Sequence, residues 1–595
     1  MIAFAGRTAL QTLVRAGCTF ARHRPYSMAS SANNVAPIES NGHKRAFEGA
    51  RNYRFKKQKK EKDQKSVLKT EGTHEEVLLK DVEALLRKHS ITDTPAEPDA
   101  EANGESNPDQ QPSLPDPFTE VELTVQEISS TGDGLALAPN SKQVFVVPFT
   151  SPGDKVKAKV IKHFTKQGYT LTDFVQVVSP GSLRNDSLVN CKYFSSCSGC
   201  QFQMLPYEAQ LAHKKTIVEK AYKNFSDLSP ELVPPVADTI GSPLQFGYRT
   251  KLTPHFDGPP GKKRSDGRKG IRRTFEEVPP IGFMKKGTRH TLDIEDCPIG
   301  TDAVRMGMQS ERKRVAADLD KYAKGATILL RESTKRLPKD PAPQPRADAV
   351  LEDRGAHFHE KTCVTDQKGR TTEYIDDFQF ENPAGAFFQN NNSILPTFTQ
   401  YIRDHILPAG TDPADPNRPI KHLIDAYSGS GLFTITLSQM FTRSLGIDIS
   451  ASSIEFASTN ARLNGLASDH AAFIAADAAN LFASIDFPAA ATAVVVDPPR
   501  KGCDDLFLRQ LLRYSPARVV YVSCNVHTQA RDVGVLVNGM EGVDGGFGAG
   551  KGVYEIESLV GFDFFPQTGH VEGVAVLRRR KEAGEVEMEV GRELD

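Results

Sequence analysis

The sequence predicts an α/β protein. A Rossmann-like, doubly wound sheet is expected over residues 376–580, preceded by a small β-barrel over 118–180 and a mixed α+β region over 181–375. Three observations carry this. From 376 to 580, apolar β-branched runs (HLIDAY, SLGIDI, ATAVVVD, RVVYVS) alternate with helical stretches, as parallel strands joined by crossover helices do. From 118 to 180, short β-rich runs (EVELTVQEIS, QVFVVPFT, DKVKAKVIKHF, LTDFVQVVSP) are punctuated by Gly132, Gly134, Pro152 and Gly153, which suits an OB-like barrel. The glycine-rich turn YSGSG follows an apolar run directly, where open α/β sheets collect their ligands.

The elements follow in order. Residues 1–38 hold Arg7, Arg15, Arg22 and Arg24 but no Asp or Glu, and are rich in Ala, Ser and Thr. That composition predicts a mitochondrial presequence. Met28 is a candidate second start, so a cytoplasmic or nuclear form is expected beside the mitochondrial one. Residues 39–117 read as mostly disordered: a basic run (RNYRFKKQKKEK, 51–62), one helical pattern (HEEVLLKDVEALLRKH, 74–89) and an acidic, Pro-rich linker. In 181–375 a helix is expected from Pro206 to Phe225 and an exposed loop at 338–348. Residues 581–595 read as a polar tail.

Lys and Arg (74) balance Asp and Glu (75), so net charge argues for no partner. Two local runs, 51–62 and 261–273, are strongly basic and suit nucleic-acid contact, against the plainer reading of solvated loops. No apolar stretch is long enough to span a bilayer, so no membrane association is expected. Eight cysteines in 595 residues do not make a disulfide scaffold, which leaves reduced thiols as the expectation. A monomer is expected.

The C-terminal strands carry the chemistry. In LIDAYSGSGLFT (423–434), Gly429 and Gly431 permit a tight turn and close approach of a ligand. Thr434 stands where a dinucleotide fingerprint wants Gly, and Gly-Lys-Ser/Thr is missing, which excludes a P-loop. What remains fits S-adenosylmethionine, which has no pyrophosphate. Asp448 ends the next strand at nearly the usual distance from the turn for an acid on ribose hydroxyls. Asp477, after AAFIAA, is placed to reach an adenine edge, although any one of these acids could instead cap a helix.

The prolines of DPPRKG (497–502) stiffen the strand exit and fix Asp497. The strand VVYVS delivers Cys524 at its carboxyl end, and FFPQTGHVEGVAVL offers His570 and Glu572 at a later turn. A thiol and a carboxylate beside a methyl donor suit methylation of a pyrimidine at carbon 5. The thiolate adds at carbon 6 to activate carbon 5, and a base then removes the carbon-5 proton. Cys524 and Glu572 fill these roles.

In sequence order, FFQNN (387–391), DAYSGSG (425–431), DPPRKG (497–502), YVSCN (521–525) and FPQTGHVE (565–572) resemble the RNA uracil-C5 methyltransferases of the TrmA and RumA type. The resemblance implies a class I S-adenosylmethionine-dependent methyltransferase domain. It implies that Gln389, Tyr427, Asp448 and Asp497 bind the cofactor, with Cys524 as nucleophile and Glu572 as proton acceptor. Val526 departs from the proline usual after the Cys-Asn pair, and Asp448 from the glutamate of bacterial members. Residues 118–180 resemble the TRAM module that precedes this domain in part of the family, a plausible RNA platform.

CKYFSSCSGC supplies Cys191, Cys197 and Cys200, with Cys297 as a candidate fourth ligand. The spacing is similar to that of the family's iron–sulfur members, which implies a [4Fe–4S] cluster. Zinc on the same four thiolates, or no metal at all, stays open. The expected reaction is the formation of 5-methyluridine in RNA, at uridine 54 of the tRNA T-loop by resemblance to eukaryote-like members. The same chemistry on ribosomal RNA is one alternative, and a non-catalytic RNA-binding or RNA-folding protein is another.

Overall fold

The basic physics of the C-terminal strands is burial on both faces. Alternate residues of each run must enter opposite cores. The computed structural model bears this out and describes residues 70–92, 114–137, 143–259, 274–344, 346–476, 482, 485–543 and 551–580. The presequence reading of 1–38, both basic runs, the acidic linker over 93–113, Asp477 and the tail after 580 lie outside the described residues.

Helix α1 (His74–Thr92) comes first, then the barrel strands β1 (Glu120–Ile128), β2 (Gly134–Leu137), β3 (Val144–Val147), β4 (Lys155–Phe164) and β5 (Tyr169–Ser179). They close in the order β1-β2-β3-β5-β4, which leaves no open edge. Leu123, Val125, Phe145, Val147, Val156, Ala158 and Val160 fill it. Leu78, Val82 and Leu85 of α1 pack on its outside against Leu135, Val144, Val146 and Tyr169.

Helix α2 (Tyr207–Phe225) forms where expected, with Pro206 at its N-cap position. Strands β6 (Lys251–Leu252) and β7 (His255–Phe256), helix α3 (Asp302–Ala317), and strands β8 (Ala326–Thr327), β9 (Leu330–Leu337), β10 (Ala349–Asp353), β11 (Phe358–Val364), β12 (Arg370–Ile375) and β13 (Phe378–Pro383) follow. They make a four-stranded sheet in the order β10-β11-β9-β6 and two ribbons, β12-β13 and β7-β8. Helix α2 does not join this sheet. Its Ile217, Val218, Ala221, Tyr222 and Phe225 enter the core of the C-terminal domain, because its apolar stripe matches that sheet's uncovered face.

The C-terminal domain holds α4 (Leu395–Ile406), β14 (His422–Ala426), α5 (Leu432–Thr436), β15 (Arg443–Asp448), α6 (Ala451–Leu463), β16 (Ala471–Ala475), β17 (Thr492–Val496), α7 (Asp505–Tyr514), β18 (Arg518–Ser523), α8 (Val526–Asn538), β19 (Tyr554–Phe562) and β20 (Glu572–Arg579). The sheet order is β16-β15-β14-β17-β18-β20-β19. The strands β14 to β18 pair in parallel, and β20 runs antiparallel between β18 and β19. Ile424, Val494, Val496, Val519 and Tyr521 face one core. Their neighbours Leu423, Ala493, Val495, Val520 and Val522 face the other. The strand order reverses at β14, and ligands of such sheets gather there, beyond the strands' carboxyl ends.

Candidate active site

The turn after β14 is built from backbone. Tyr427, Gly429 and Gly431 all have positive φ (64°, 55° and 93°). Glycine adopts this region freely, while Tyr427 must be held in it. Its hold is in the core below: the phenol bonds Cys503 and the ring packs on Phe507 at 5.3 Å. Asp425, fully buried, accepts from the Thr434 amide (2.9 Å) and hydroxyl (2.7 Å) and so pins the start of α5. Asp448 accepts from Gly429 N (3.0 Å) and Ser450 N (2.7 Å), which ties the turn to the tip of β15. It is not the cap of α6, a place taken by Ser450.

Several features fit a nucleoside cofactor carrying a positive charge. A side chain added at Gly429 would meet nothing within 4 Å. The Ser428 hydroxyl and Asp425 Oδ1 are buried without partners. Asp425, Asp448 and Asp497 crowd negative charge around the turn, and the Asp497 carboxyl is pushed up, first by burial and then by the charge of Asp425. A cation relieves such crowding. Gln389 is buried nearby in sequence to Asn390 and Asn391, which the central region fixes. Arg331 donates to Asn390 Oδ1 at 3.0 Å while paired with buried Glu373, and Asn391 donates to Ser242 and to the Phe564 carbonyl.

The two chemical groups meet because β20 is antiparallel to β18. Ser523 pairs with Gly573, so the next residues outward are Cys524 and Glu572. Gln529 of α8 locks this register, donating to the carbonyls of Tyr521 (2.7 Å) and Gly573 (3.0 Å). Cys524 is half-buried, and its thiol is pushed up to about 12 by burial first, then by the charges of Glu572 and Asp497. The Arg500 guanidinium opposes this, both through its charge and by a hydrogen bond to the thiol. Glu572 is 1% exposed, and its Oε2 has no partner. Burial raises its pKa, and Asp497 adds to the rise. Burial and the neighbouring acids thus raise both Cys524 and Glu572, and Arg500 is the group that pulls both the other way.

The turn before Glu572 is held from behind. Lys214 of α2 and Asp563 form a fully buried ion pair. Asp563 also accepts from Tyr207 (2.9 Å) and from the Phe565 amide (3.2 Å). Gln201 accepts from Gly569 N at 3.0 Å and donates to the Thr131 carbonyl at 2.9 Å, so the barrel, the cysteine-rich loop and the turn before Glu572 touch in one place. His570 stands at the rim, its pKa lowered to about 4 by burial and neighbouring cations.

Cys191, Cys197, Cys200 and Cys297 are drawn together. Cys191 and Cys197 raise Cys200, and all three raise Cys297, after burial. They do not form a ligand set. Among the described residues no group of three or more His, Cys, Asp or Glu side chains is arranged to hold a metal ion. The expected [4Fe–4S] or zinc site therefore has no support in the geometry.

Two groups were legible in the sequence but not as parts of the site. Arg500 stands inside DPPRKG, where nothing in the sequence marks it as a partner of the thiol; its bond to Cys524 needs β17 and β18 side by side. Cys503, which has no partner spacing, is buried in a chain of bonds running Tyr427–Cys503–Tyr521–Asp532 beneath both halves of the site. Phe387, 76% exposed two residues before Gln389, leaves an aromatic face at the surface.

The model of the family described as tRNA (Uracil-5-)-methyltransferase matches residues 376–580, and that of the TRAM domain matches 117–166. A Schizosaccharomyces pombe protein named tRNA (uracil(54)-C(5))-methyltransferase is 41% identical over 558 residues, 94% of this chain and 91% of its own length. A Saccharomyces cerevisiae protein of the same name is 40% identical over 86% of this chain and 79% of its own. The crystal structure of Pyrococcus abyssi tRNA (uracil-54, C5)-methyltransferase in complex with S-adenosyl-L-homocysteine superposes with a TM-score of 0.51 at 22% identity, covering 77% of this chain and 100% of that one. At that identity the likeness speaks for the fold.

Proposed function

This chain belongs to the tRNA (uracil-5-)-methyltransferase family, and we propose on that premise that it methylates carbon 5 of uridine 54 in tRNA, with Cys524 as nucleophile and Glu572 as proton acceptor. S-adenosylmethionine, when bound, supplies an electrophilic methyl group. Gln389, Asp448, Asp497 and the backbone of the Tyr427–Gly431 turn are the residues that would hold it.

Uracil carbon 5 is a weak nucleophile. Cys524 Sγ, as thiolate, adds to carbon 6, and the ring electrons move to O4 as an enolate, which activates carbon 5. Once carbon 5 carries the new methyl group, Glu572 takes its proton. The carbon 5–carbon 6 double bond re-forms, the carbon–sulfur bond breaks and the thiolate leaves. A carboxylate with a raised pKa is the stronger base for this step. Arg500 holds negative charge on the sulfur before attack and after release. The base must leave its stack to reach a half-buried thiol.

The single observation that best supports the reading is the juxtaposition of Cys524 with Glu572, set by the Ser523–Gly573 pairing and bracketed by Asp497 and Arg500. The test uses tRNA carrying 5-fluorouridine. Fluorine cannot leave as a proton does, so the wild-type chain should be trapped as a covalent adduct at one uridine and Cys524→Ala should not. Adducts on ribosomal RNA fragments alone would move the substrate, and no adduct on either RNA would remove the covalent reading.

Three further expectations belong to the proposal. A metal on Cys191, Cys197, Cys200 and Cys297 rests on their spacing in the sequence and the resemblance it carries; iron and zinc analysis of anaerobically purified protein tests it, and a chain with neither removes it. Mitochondrial import is supported by the composition of residues 1–38; fusions starting at Met1 and at Met28 to a fluorescent reporter separate the two forms. Action as a monomer is checked by light scattering. Among the described residues, no helix is long and apolar enough to cross a membrane.

A further inference from the structure

We propose that the strap Thr70–Thr73, locked by Glu76, is a positioning element of the active site that holds the Cys524–Asn525 turn for attack on the base. The inference rests on the covalent reading of Cys524. The Asn525 side chain, directly after the nucleophile, donates to the Gly72 carbonyl at 3.2 Å and to the Arg500 carbonyl at 2.9 Å. Arg531 of α8 donates to the Thr70 carbonyl at 2.8 Å, and also to the carbonyls of Lys501 (2.9 Å) and Cys503 (3.2 Å). Both side chains that grip the strap thus also bond the loop bearing Arg500, beside Thr528, whose hydroxyl donates to the Arg500 carbonyl at 3.2 Å and to the Asn525 carbonyl at 3.0 Å. Without the strap, each loses one of its acceptors and is held less tightly.

The strap is itself built to stay. Glu76 Oε2 accepts from Gly72 N (2.8 Å) and Glu71 N (3.1 Å), and the Glu76 amide donates to Thr73 Oγ1 (3.3 Å), a reciprocal cap on the first turn of α1. Gly72 has φ +59°, and a Cβ there would come within 2.8 Å of Thr528 Cγ2. The strap therefore lies flush on the first turn of α8, where only glycine fits. Helix α1 does not depend on it: Asp81 pairs with Lys220 at 3.1 Å and accepts from Ser130 N at 2.5 Å, and its leucines pack on the barrel.

The test is made in the full-length chain with Glu76→Ala, Glu76→Gln, Gly72→Val and, as control, Glu75→Ala. The control removes a neighbouring acid of the same first turn that holds no strap amide, so it reports any loss through the helix dipole. Adduct formation on 5-fluorouridine tRNA and methyl incorporation on ordinary tRNA are both followed, beside tRNA affinity and melting temperature. Misplacing the nucleophile by about an ångström should slow both reactions by about tenfold or more in Glu76→Ala and Gly72→Val. Affinity should match wild type throughout, melting temperature should match it in the Glu76 variants and fall in Gly72→Val only by the local strain of that position, Glu76→Gln should recover part of the rate, and Glu75→Ala should react normally. Unchanged rates overturn the proposal, as does a loss that tracks melting temperature or tRNA affinity, or an equal loss in Glu75→Ala. If the wild-type chain methylates without forming an adduct, the covalent reading fails on its own, and methyl incorporation by the same variants still judges the strap.

Discussion

Removing the charge of Arg500 should slow the attack by Cys524 without abolishing it. The thiol sits near 12, raised by burial and by Glu572 and Asp497, and Arg500 is the group that pulls it down. An opposite charge in hydrogen-bond contact lowers an acid by about 1–3 units. Arg500 is exposed, so water screens it and about 1–2 units is the fitting range. Arg500→Ala should then cut the thiolate fraction by about 10- to 100-fold at any pH below the thiol's own value. The more basic thiolate is a better nucleophile, with a Brønsted slope of about 0.4–0.5, which restores nearly half of that loss on a logarithmic scale. The net fall in rate is about 3- to 15-fold. Single-turnover adduct formation at saturating 5-fluorouridine tRNA measures it. In both proteins the rate should rise about tenfold per pH unit, because the thiol is protonated throughout that range, and the variant's line should run parallel below the wild type's. Arg500→Lys keeps the charge and should recover most of the rate. A flat pH profile, or an Arg500→Lys as slow as Arg500→Ala, would refute an electrostatic role for this side chain.

Other outcomes follow from the same geometry. Asp497→Asn should abolish methyl transfer yet stabilise the fold by about 1 kcal/mol at neutral pH, after discounting for its partial exposure. The sign follows from a folded pKa above the unfolded one: the ionised form is disfavoured in the fold, so stability is lost as pH rises through the folded value. The gain of the variant should therefore grow with pH and vanish below the unfolded carboxyl's value, as melting curves at several pH values will read. Lys214→Met strands the buried Asp563 and should cost about 3–5 kcal/mol in denaturant unfolding; adding Asp563→Leu should return much of it. Gly431→Val places a Cβ at φ +93°, 3.1 Å from Ile435 and Phe473, and the strain of about 1–3 kcal/mol should weaken S-adenosylhomocysteine binding roughly tenfold by calorimetric titration.

The strands, their order along the chain and the chemistry at their ends were written locally. Continuous apolar, β-branched runs mark β14, β15, β17 and β18, and the residues at their carboxyl ends are legible because the fold puts ligands there whatever the rest of the chain does. Cys524 and Glu572 could be matched to the two halves of one reaction from their chemistry. Their contact could not be read that way. It depends on β20 entering the sheet antiparallel beside β18, a pairing between segments almost fifty residues apart that no local pattern encodes. The same holds for Arg500, whose neighbour Cys524 lies one strand over, and for Cys503, whose partners come from the turn after β14, from β18 and from α8 through Tyr427, Tyr521 and Asp532. The cysteine-rich loop shows the reverse limit. Spacing alone suggested a metal site, but ligation needs four sulfurs at fixed distances, and only the packing of 191–200 against 297 decides those. The strap is the furthest case: a short polar stretch with no signal of its own gains a role because α1 binds the barrel and leaves Thr70–Thr73 lying on α8. Side-chain periodicity and strand-end chemistry are properties of neighbours in sequence, so the chain states them outright. Register across an antiparallel pair, burial of charge and the seating of a remote arm are properties of neighbours in space, and they exist only once the sheet has formed.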